Sequence, residues 1–390
     1  MPPAHPAPDK PNAALHAIGL DADARAGEIR ALRRLPDDIA GRLIASRVFA
    51  TWVPACYGGL GGSAMDLFDA VEQLAWHHAS VAWCAMIGGT TALSSGFLSP
   101  AWAREIYGDP RTMSGGFAGP AGRARPVAGG LQVNGRWSWG SGLSHCNWVV
   151  GGVLVSDDGQ GSATRSDGLK TPIVFFPRAE VQLHDNWHTL GLQGTGSVDY
   201  EVHEVFVPEG RWVAFPMHEP VVADPLYRFS TVGALAAGVA FVAVGLARRA
   251  IDELILLATT KVPAGGSRRL AERALVQSQL VEAEAAWLSA RGALREAVAA
   301  GMHEASAEGR IGIATRRRLR LAALNAVERC TRAVDLCFSA GGGSSIHDGS
   351  VLQRVFCDMH TASQHGINSA LFSETLGRIA MGVPADSGLL

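Results

Sequence analysis

Between residues 13 and 111 apolar side chains recur at helical intervals. In residues 65–80, MDLFDAVEQLAWHHAS, the side chains of Leu67, Val71, Leu74 and Ala75 fall on one side of a helical period, which predicts an amphipathic helix. A glycine-rich loop, YGGLGG at 57–62, precedes it. From about 112 to 222 the period shortens to two. Alternating runs at 148–155, 171–176 and 200–207, separated by Gly, Asp and Pro, predict strands. The polar stretch 156–170, SDDGQGSATRSDGLK, reads as a mobile hairpin loop. From about 223 helices return and lengthen. Residues 270–300 carry Val276, Leu280, Trp287 and Leu288 on one side. Residues 315–339 end against Gly341, Gly342 and Gly343, a helix stop, and 352–381 read as one last helix. The expected order is a disordered lead (1–12), an N-terminal helical domain (13–111), a central β domain (112–222) and a C-terminal helical bundle (223–390). Alternating βαβ units are missing, which argues against a Rossmann or βα-barrel fold.

Composition narrows the class. With 390 residues, 47% hydrophobic and 18% charged, the chain can bury a sizeable core in two or three units. A net charge of −2 and a pI near 6.7 give no electrostatic footprint for nucleic acid or an anionic membrane. No charge occurs between Arg228 and Arg248, but Gly and Ala fill that run and an amphipathic continuation follows at Ile251, Leu254 and Ile255. It reads as a buried bundle helix rather than a membrane span. The first residues lack the pattern of a signal peptide, and the six cysteines include no C-x-x-C pair. The expectation is a cytoplasmic protein with reduced thiols.

Walker, H-E-x-x-H and G-x-S-x-G signatures are missing, and neither 58–63 nor 194–197 completes a dinucleotide fingerprint. The segment GRWSWGSGLSHCNW at 135–148 gathers three of the ten tryptophans around Gly140, Ser141 and Gly142. Two readings fit: a tight turn with core tryptophans, or a wall for a planar heteroaromatic ring, with Trp139 packed on it and the Ser141 hydroxyl bonded to it. On a continuous helix Asp358, Thr361 and His365 would share a face, and the acid and hydroxyl would set the imidazole tautomer and raise its basicity. The plain alternative is a core or surface histidine. His360 and His365 are a poor metal pair, and His77, His78, His145, His188 and His203 have no ligand spacing. Arg316, Arg317, Arg318 and Arg320 read as a solvated helix face or a subunit contact. Lys261, Arg268 and Arg269 flank a Pro/Gly-rich break at 262–267. They are surface charges by default, although such a break can present cations and a helix N-terminus to a phosphate.

Taken in order, GRWSWGSG at 135–142, WHTLGLQGTGS at 187–197 and LQRVFCDMHTASQH at 352–365 resemble the acyl-CoA dehydrogenase superfamily. More narrowly, the chain is similar to the two-component flavin-dependent monooxygenases built on that fold, among them the oxygenase components of 4-hydroxyphenylacetate and steroid-phenol hydroxylases and dibenzothiophene monooxygenase. The likeness runs from about Leu43 to Met381. It implies an α+β, mostly α architecture: helical domain, central β-barrel or sandwich and four-helix bundle, assembled as a homotetramer. Dehydrogenases of the commonest type carry a glutamate base about eight residues after the aspartate matching Asp358. Here that position is Gly366, and Glu374 lies two turns further on. The monooxygenase branch has a histidine matching His365.

The resemblance implies that a separate NAD(P)H:flavin reductase supplies reduced flavin, FMNH2 or FADH2. Reaction with O2 through a C4a-hydroperoxyflavin would then hydroxylate an aromatic, or oxidise an N or S centre, of a small molecule. It carries Ser141 over to flavin N5, with Phe117 and Trp139 also at the flavin. It makes His365 the group that hydrogen-bonds the peroxide or deprotonates the substrate, and puts Trp83 and Thr91 at the substrate. Lys261 or Arg268 would hold the flavin phosphate across a subunit boundary. Two positions depart from the pattern: Thr91 stands where a histidine is common, and Gln193 where an arginine is common. Two other readings stay open: an acyl-CoA dehydrogenase or flavin oxidase with a displaced base, and a non-catalytic flavin-binding or scaffolding relative.

Overall fold

The computed structural model describes residues 12–156, 171–217, 219–388 and 390. The lead and the polar hairpin expected above lie, apart from Asn12 and Ser156, outside the described residues. Six helices come first: α1 (Ala13–Ala24), α2 (Ala26–Leu32), α3 (Asp37–Ala45), α4 (Ala64–His77), α5 (Ala79–Ala92) and α6 (Pro100–Tyr107). A capping box of Ser63 and Asp66 starts α4, satisfying donors that the first turn leaves free. The 65–80 helix expected from the period stops at His77. His78 takes an extended conformation and its ring accepts from Ser80 N at 3.3 Å, so it starts α5 instead.

Seven strands follow: β1 (Ser114–Val127), β2 (Gly130–Gly140), β3 (Trp148–Val155), β4 (Pro172–Pro177), β5 (Gln182–His184), β6 (Val198–Pro208) and β7 (Trp212–Ala214). They form one sheet in the order β5-β6-β2-β1-β3-β4-β7. β1 pairs antiparallel with β2 and parallel with β3, and its register shifts between Phe117 and Gly122 bend it. The two halves of the sheet face each other across that bend. Trp137 of β2 lies 5.8 Å from Phe176 of β4, and the Tyr200 hydroxyl of β6 donates to Val150 O of β3 at 2.6 Å.

The C-terminal bundle contains α7 (Pro225–Arg228), α8 (Thr231–Thr260), α9 (Ala274–Glu308), α10 (Ile313–Gly341), α11 (Val351–Ala362) and α12 (Leu371–Ala380). Among the described residues α8 alone is long and apolar enough to cross a membrane, and its apolar stretch is buried inside the fold by α4, α5, α9, α10 and α11. Small residues let neighbours approach: a Cβ on Gly245 would stand 2.6 Å from both Ala75 Cβ and Glu72 O of α4. Ion pairs lock the N-terminal helices to the bundle. Arg291 and Arg295 of α9 reach Glu72 and Asp69 of α4 at 2.6 and 2.5 Å. Arg249 of α8 and Arg354 of α11 converge on Asp23 of α1. Losing one of these acids would leave a guanidinium uncompensated inside the protein.

Two expectations need correction. α9 begins at Ala274, after a separate turn at Leu270–Glu272, and Leu288 of its expected apolar side faces outward. The single helix expected over 352–381 is broken. α11 stops at Ala362, a short turn follows at Gly366–Asn368, and α12 starts at Leu371. Asn368 pins this break to α8 by donating to Ala236 O at 3.2 Å.

Candidate active site

The broken segment after α11 meets α5 and the end of β2. On α5, Trp83, Ile87 and Thr91 follow one another at four-residue steps and share a face. Trp83 Nε1 donates to the Ser141 hydroxyl at 3.0 Å. Ser141 Oγ lies 2.6 Å from Ser197 Oγ, which lies 2.6 Å from Thr195 Oγ1. Thr195 Oγ1 donates to Leu192 O at 2.8 Å. Each hydroxyl has one proton, and both ends of this chain are fixed, so the order of donation is fixed too. Trp83 gives to Ser141, Ser141 to Ser197, Ser197 to Thr195 and Thr195 to Leu192 O. Ser141 is buried, and its remaining capacity is as an acceptor.

The three tryptophans of the 135–148 segment do not form one wall. Trp137 is buried, stacks on Tyr200 and donates to Gly152 O at 2.8 Å. Trp148 is half-buried under Arg211. Trp139 has the parity of Trp137, but a register shift between Trp137 and Gly140 and a φ of +64° turn it the other way. It is 64% exposed, with Phe117 edge-on at 5.9 Å. A bulky residue at positive φ is strained, and strain of this kind gathers at functional sites.

His365 sits in extended backbone at φ −63°, ψ 124°, outside any helix. The helical face shared with Asp358 and Thr361 is therefore corrected. Asp358 accepts from Leu192 N at 2.6 Å, and Thr361 Oγ1 donates to Cys357 O at 2.9 Å. Neither orients the imidazole. Its Nδ1 accepts from Ile367 N at 3.2 Å, which leaves the proton of the neutral ring on Nε2. The ring centre lies 5.6 Å from that of Trp83. Burial, helped by the Arg320 cation, lowers the His365 pKa to about 4, so its basicity falls rather than rises. Burial pushes Asp358 the other way, up to about 6. Glu374 is 79% exposed on α12 and reaches Arg378, so it supplies no displaced base here.

Thr91 is half-buried and donates to Ile87 O at 2.8 Å. Gln193 lines a separate groove with Asp23, Arg354 and Asp358, about 530 Å³ in volume. Lys261 and Arg268 are not brought to Ser141. Gly238 of α8 faces Met86 and Thr90 of α5, and Lys261 follows 23 residues later along the chain, roughly 35 Å away at helical rise. Lys261 Nζ instead donates to Gly341 O at 2.9 Å, and Arg268 is exposed. Among the described residues no three potential metal ligands cluster. His360 pairs with Asp335 at 2.8 Å, His77 with His16 at 3.0 Å, and His145 with Leu35 O at 3.1 Å.

The sequence reading of Arg320 as part of a solvated helix face or a subunit contact is corrected: within one chain it is already 0% exposed. The signal was present, because Arg320 shares a helical side with buried Ala323 and Val327. A run of arginines masked it.

This helical, β and helical order is the acyl-CoA dehydrogenase-like fold that the motifs imply. Residues 237–370 match the family described as "Acyl-CoA dehydrogenase, C-terminal domain". The chain is 29% identical to indole-3-acetate monooxygenase of Pseudomonas putida, covering 93% of this chain and 92% of that protein. It is 28% identical to the oxygenase component of p-hydroxyphenylacetate 3-hydroxylase of Acinetobacter baumannii, covering 91% and 85%. Among solved structures it superposes on 3-HSA hydroxylase from Rhodococcus sp. RHA1 with a TM-score of 0.89 at 26% identity, covering 97% and 98%. Over nine-tenths of its length the chain is thus similar to flavin-dependent monooxygenases, and its C-terminal helices match the acyl-CoA dehydrogenase family.

Proposed function

We propose that this oxygenase binds reduced flavin beside Trp139 and hydroxylates an aromatic, or oxidises an N or S centre, of a small molecule held between α5 and the break after α11. The observation that carries the reading is Trp139: a large ring turned outward at positive φ, braced by Phe117 and left exposed. Such a surface fits the face of a planar ring system. Reduced flavin, FMNH2 or FADH2 from a separate NAD(P)H:flavin reductase, would supply the electrons that activate O2 for transfer of one oxygen atom.

The chain's own residues divide the remaining work. Ser141 has given its proton to Ser197, so toward a flavin it can only accept. That suits the N5–H of the reduced form and not the bare N5 of the oxidised form. Trp83 holds that hydroxyl in place and closes the apolar side of the site toward Ile87 and Thr91, limiting water. His365, neutral, offers Nε2–H as a donor to an oxygen atom at the reaction centre. Its low pKa makes it a better donor than base at neutral pH. Lys261 and Arg268 act on a flavin phosphate only from a neighbouring subunit, in the homotetramer that the family resemblance implies. The same reading places the protein in the cytoplasm beside that reductase.

Rapid mixing of the protein and anaerobically reduced FMN or FAD with O2 tests the reading. Reoxidation of flavin should be much slower, or visibly biphasic, compared with free flavin. Reoxidation at the free-solution rate for both flavins would sink it. A protein that carries tightly bound oxidised FAD bleached by an acyl-CoA would instead favour a dehydrogenase.

A further inference from the structure

The hydroxyls behind Ser141 are spaced by backbone. Gly140 of β2 pairs with Val198 of β6, so Ser141 and Ser197 stand opposite each other at the two strand ends. Gly142 N donates to Thr195 O at 2.8 Å and ties the segment after β2 to the one before β6. Leu192 closes the chain from left-handed backbone at φ +52°, a conformation that costs a branched residue energy. Its carbonyl oxygen receives Trp187 Nε1 at 3.1 Å and Thr195 N at 3.0 Å, besides Thr195 Oγ1 at 2.8 Å. A carbonyl carries no proton, so two oxygens that close require the Thr195 hydroxyl to donate. At the far end the Trp83 indole can only donate.

Between these ends lie four gaps, from Trp83 to Ser141, Ser197, Thr195 and Leu192 O. The indole and the three hydroxyls bring four protons, one for each gap. None is left over for a molecule bound at Ser141. Trp83, Ser141, Thr195 and Ser197 are all buried, so reversing the order would strand a donor or an acceptor away from water. Taking out either inner hydroxyl changes the balance. It removes two gaps and one proton, and the spare proton then falls to Ser141.

We propose that Ser197 and Thr195 are positioning residues that set the redox preference of the flavin site. By taking up the Ser141 proton they leave the bare N5 of oxidised flavin facing an acceptor, while the N5–H of reduced flavin finds its partner. The oxygenase then takes flavin in reduced and lets it go oxidised. Both residues act through Ser141. The proposal rests on the oxygenase reading, which puts flavin N5 at that hydroxyl.

Fluorescence titration of the full-length protein with oxidised FMN and FAD in air, and with both reduced under anaerobic conditions, gives the ratio of the two affinities. Wild type should bind reduced flavin at least about tenfold more tightly, the scale of one buried acceptor left unpaired. Ser197→Ala and Thr195→Val should each tighten binding of oxidised flavin by about tenfold and collapse the ratio. Ser197→Thr and Thr195→Ser keep the hydroxyls and should keep the wild-type ratio. Damaged packing would weaken both forms together and would not tighten one. Equal binding of the two forms by wild type overturns the proposal, and this arm stands whether or not a variant folds. A wild-type ratio retained in folded Ser197→Ala or folded Thr195→Val overturns it as well. Failure of wild type to bind either form overturns both the proposal and the oxygenase reading. If the ratio behaves as expected but bound reduced flavin reoxidises at its free-solution rate, the oxygenase reading fails and the role of Ser197 and Thr195 does not.

Discussion

At the scale of single residues, the site is built from groups whose ordinary behaviour is overridden. Trp139 is strained and exposed, so it contributes little to stability where it stands. Trp139→Gly relieves a cost on the order of 1 kcal/mol and loses the Phe117 contact. Urea unfolding should change by less than about 1 kcal/mol, while anaerobic affinity for reduced flavin should drop at least tenfold. Unchanged flavin affinity would remove Trp139 from the site. His365 offers a second test, of donor against base. His365→Gln keeps an N–H donor without a titrating base. It should retain far more turnover than His365→Ala, and equal losses in the two would mark a base instead.

Linkage at these residues has a defined sign. The His365 pKa is lowered in the fold to about 4 from an ordinary value near 6.5. The unfolded chain therefore binds a proton that the folded chain refuses, and the contribution to stability is complete above pH 6.5 and lost as pH falls toward 4. Asp358 is raised to about 6, so the folded chain holds a proton the unfolded chain releases, and stability falls as pH rises from about 4 to 6. Asp358→Asn keeps an acceptor for Leu192 N and removes that slope. Denaturation at pH 4 and pH 8 should show the variant equal to wild type at the lower pH and more stable at the higher, by on the order of 2 kcal/mol. A variant less stable at pH 8 would mean that the ionised carboxylate is favoured by its partners after all.

At the scale of elements, much was legible and the misses have causes. The strand at 148–155 matched β3, and the long apolar run became α8, because both are nearly continuous apolar runs that the fold buries on all sides. The single helix expected over 352–381 breaks at residues 363–370, SQHGINSA, where the chain is pinned by Asn368 to Ala236 O and by His365 to Ile367 N. Those tertiary and turn bonds leave no trace in periodicity. α8 also carries a graded test of packing. A Cβ at Gly245 would meet backbone of α4, which cannot yield, whereas at Gly238 it would meet the flexible Met86 side chain at 2.8 Å. Gly245→Ala should lower the unfolding midpoint clearly more than Gly238→Ala, by roughly 1–3 kcal/mol of stability. Equal effects would mean that α4 and α8 slide apart at little cost.

At the scale of the whole molecule, the separation of Lys261 and Arg268 from Ser141 along α8 makes a claim about assembly. If either cation holds the flavin phosphate, it does so across a subunit boundary. Mixed oligomers of Trp139→Gly and Arg268→Ala chains should then regain some intact sites, whereas each homogeneous variant binds flavin weakly. Absence of any recovery after co-expression would confine the flavin to one chain.

The sequence alone determined the order of helical, β and helical segments and the likeness to the acyl-CoA dehydrogenase superfamily, and it singled out the 135–148 segment and His365 as candidates, because these reside in local periodicity and short motifs. It could not determine which way the side chains point. One bulge turns Trp139 out while Trp137 stays in, a chain of hydroxyls leaves Ser141 only an acceptor, and a helix break separates His365 from Asp358. Arg320 is the sharpest case. A run of arginines reads as solvent-facing, and only the packing of α10 against the segment carrying Ile367 and Phe372 leaves one of them buried with two donors unpartnered. Charge sets how costly burial is, but neighbours distant in sequence decide which charge is buried.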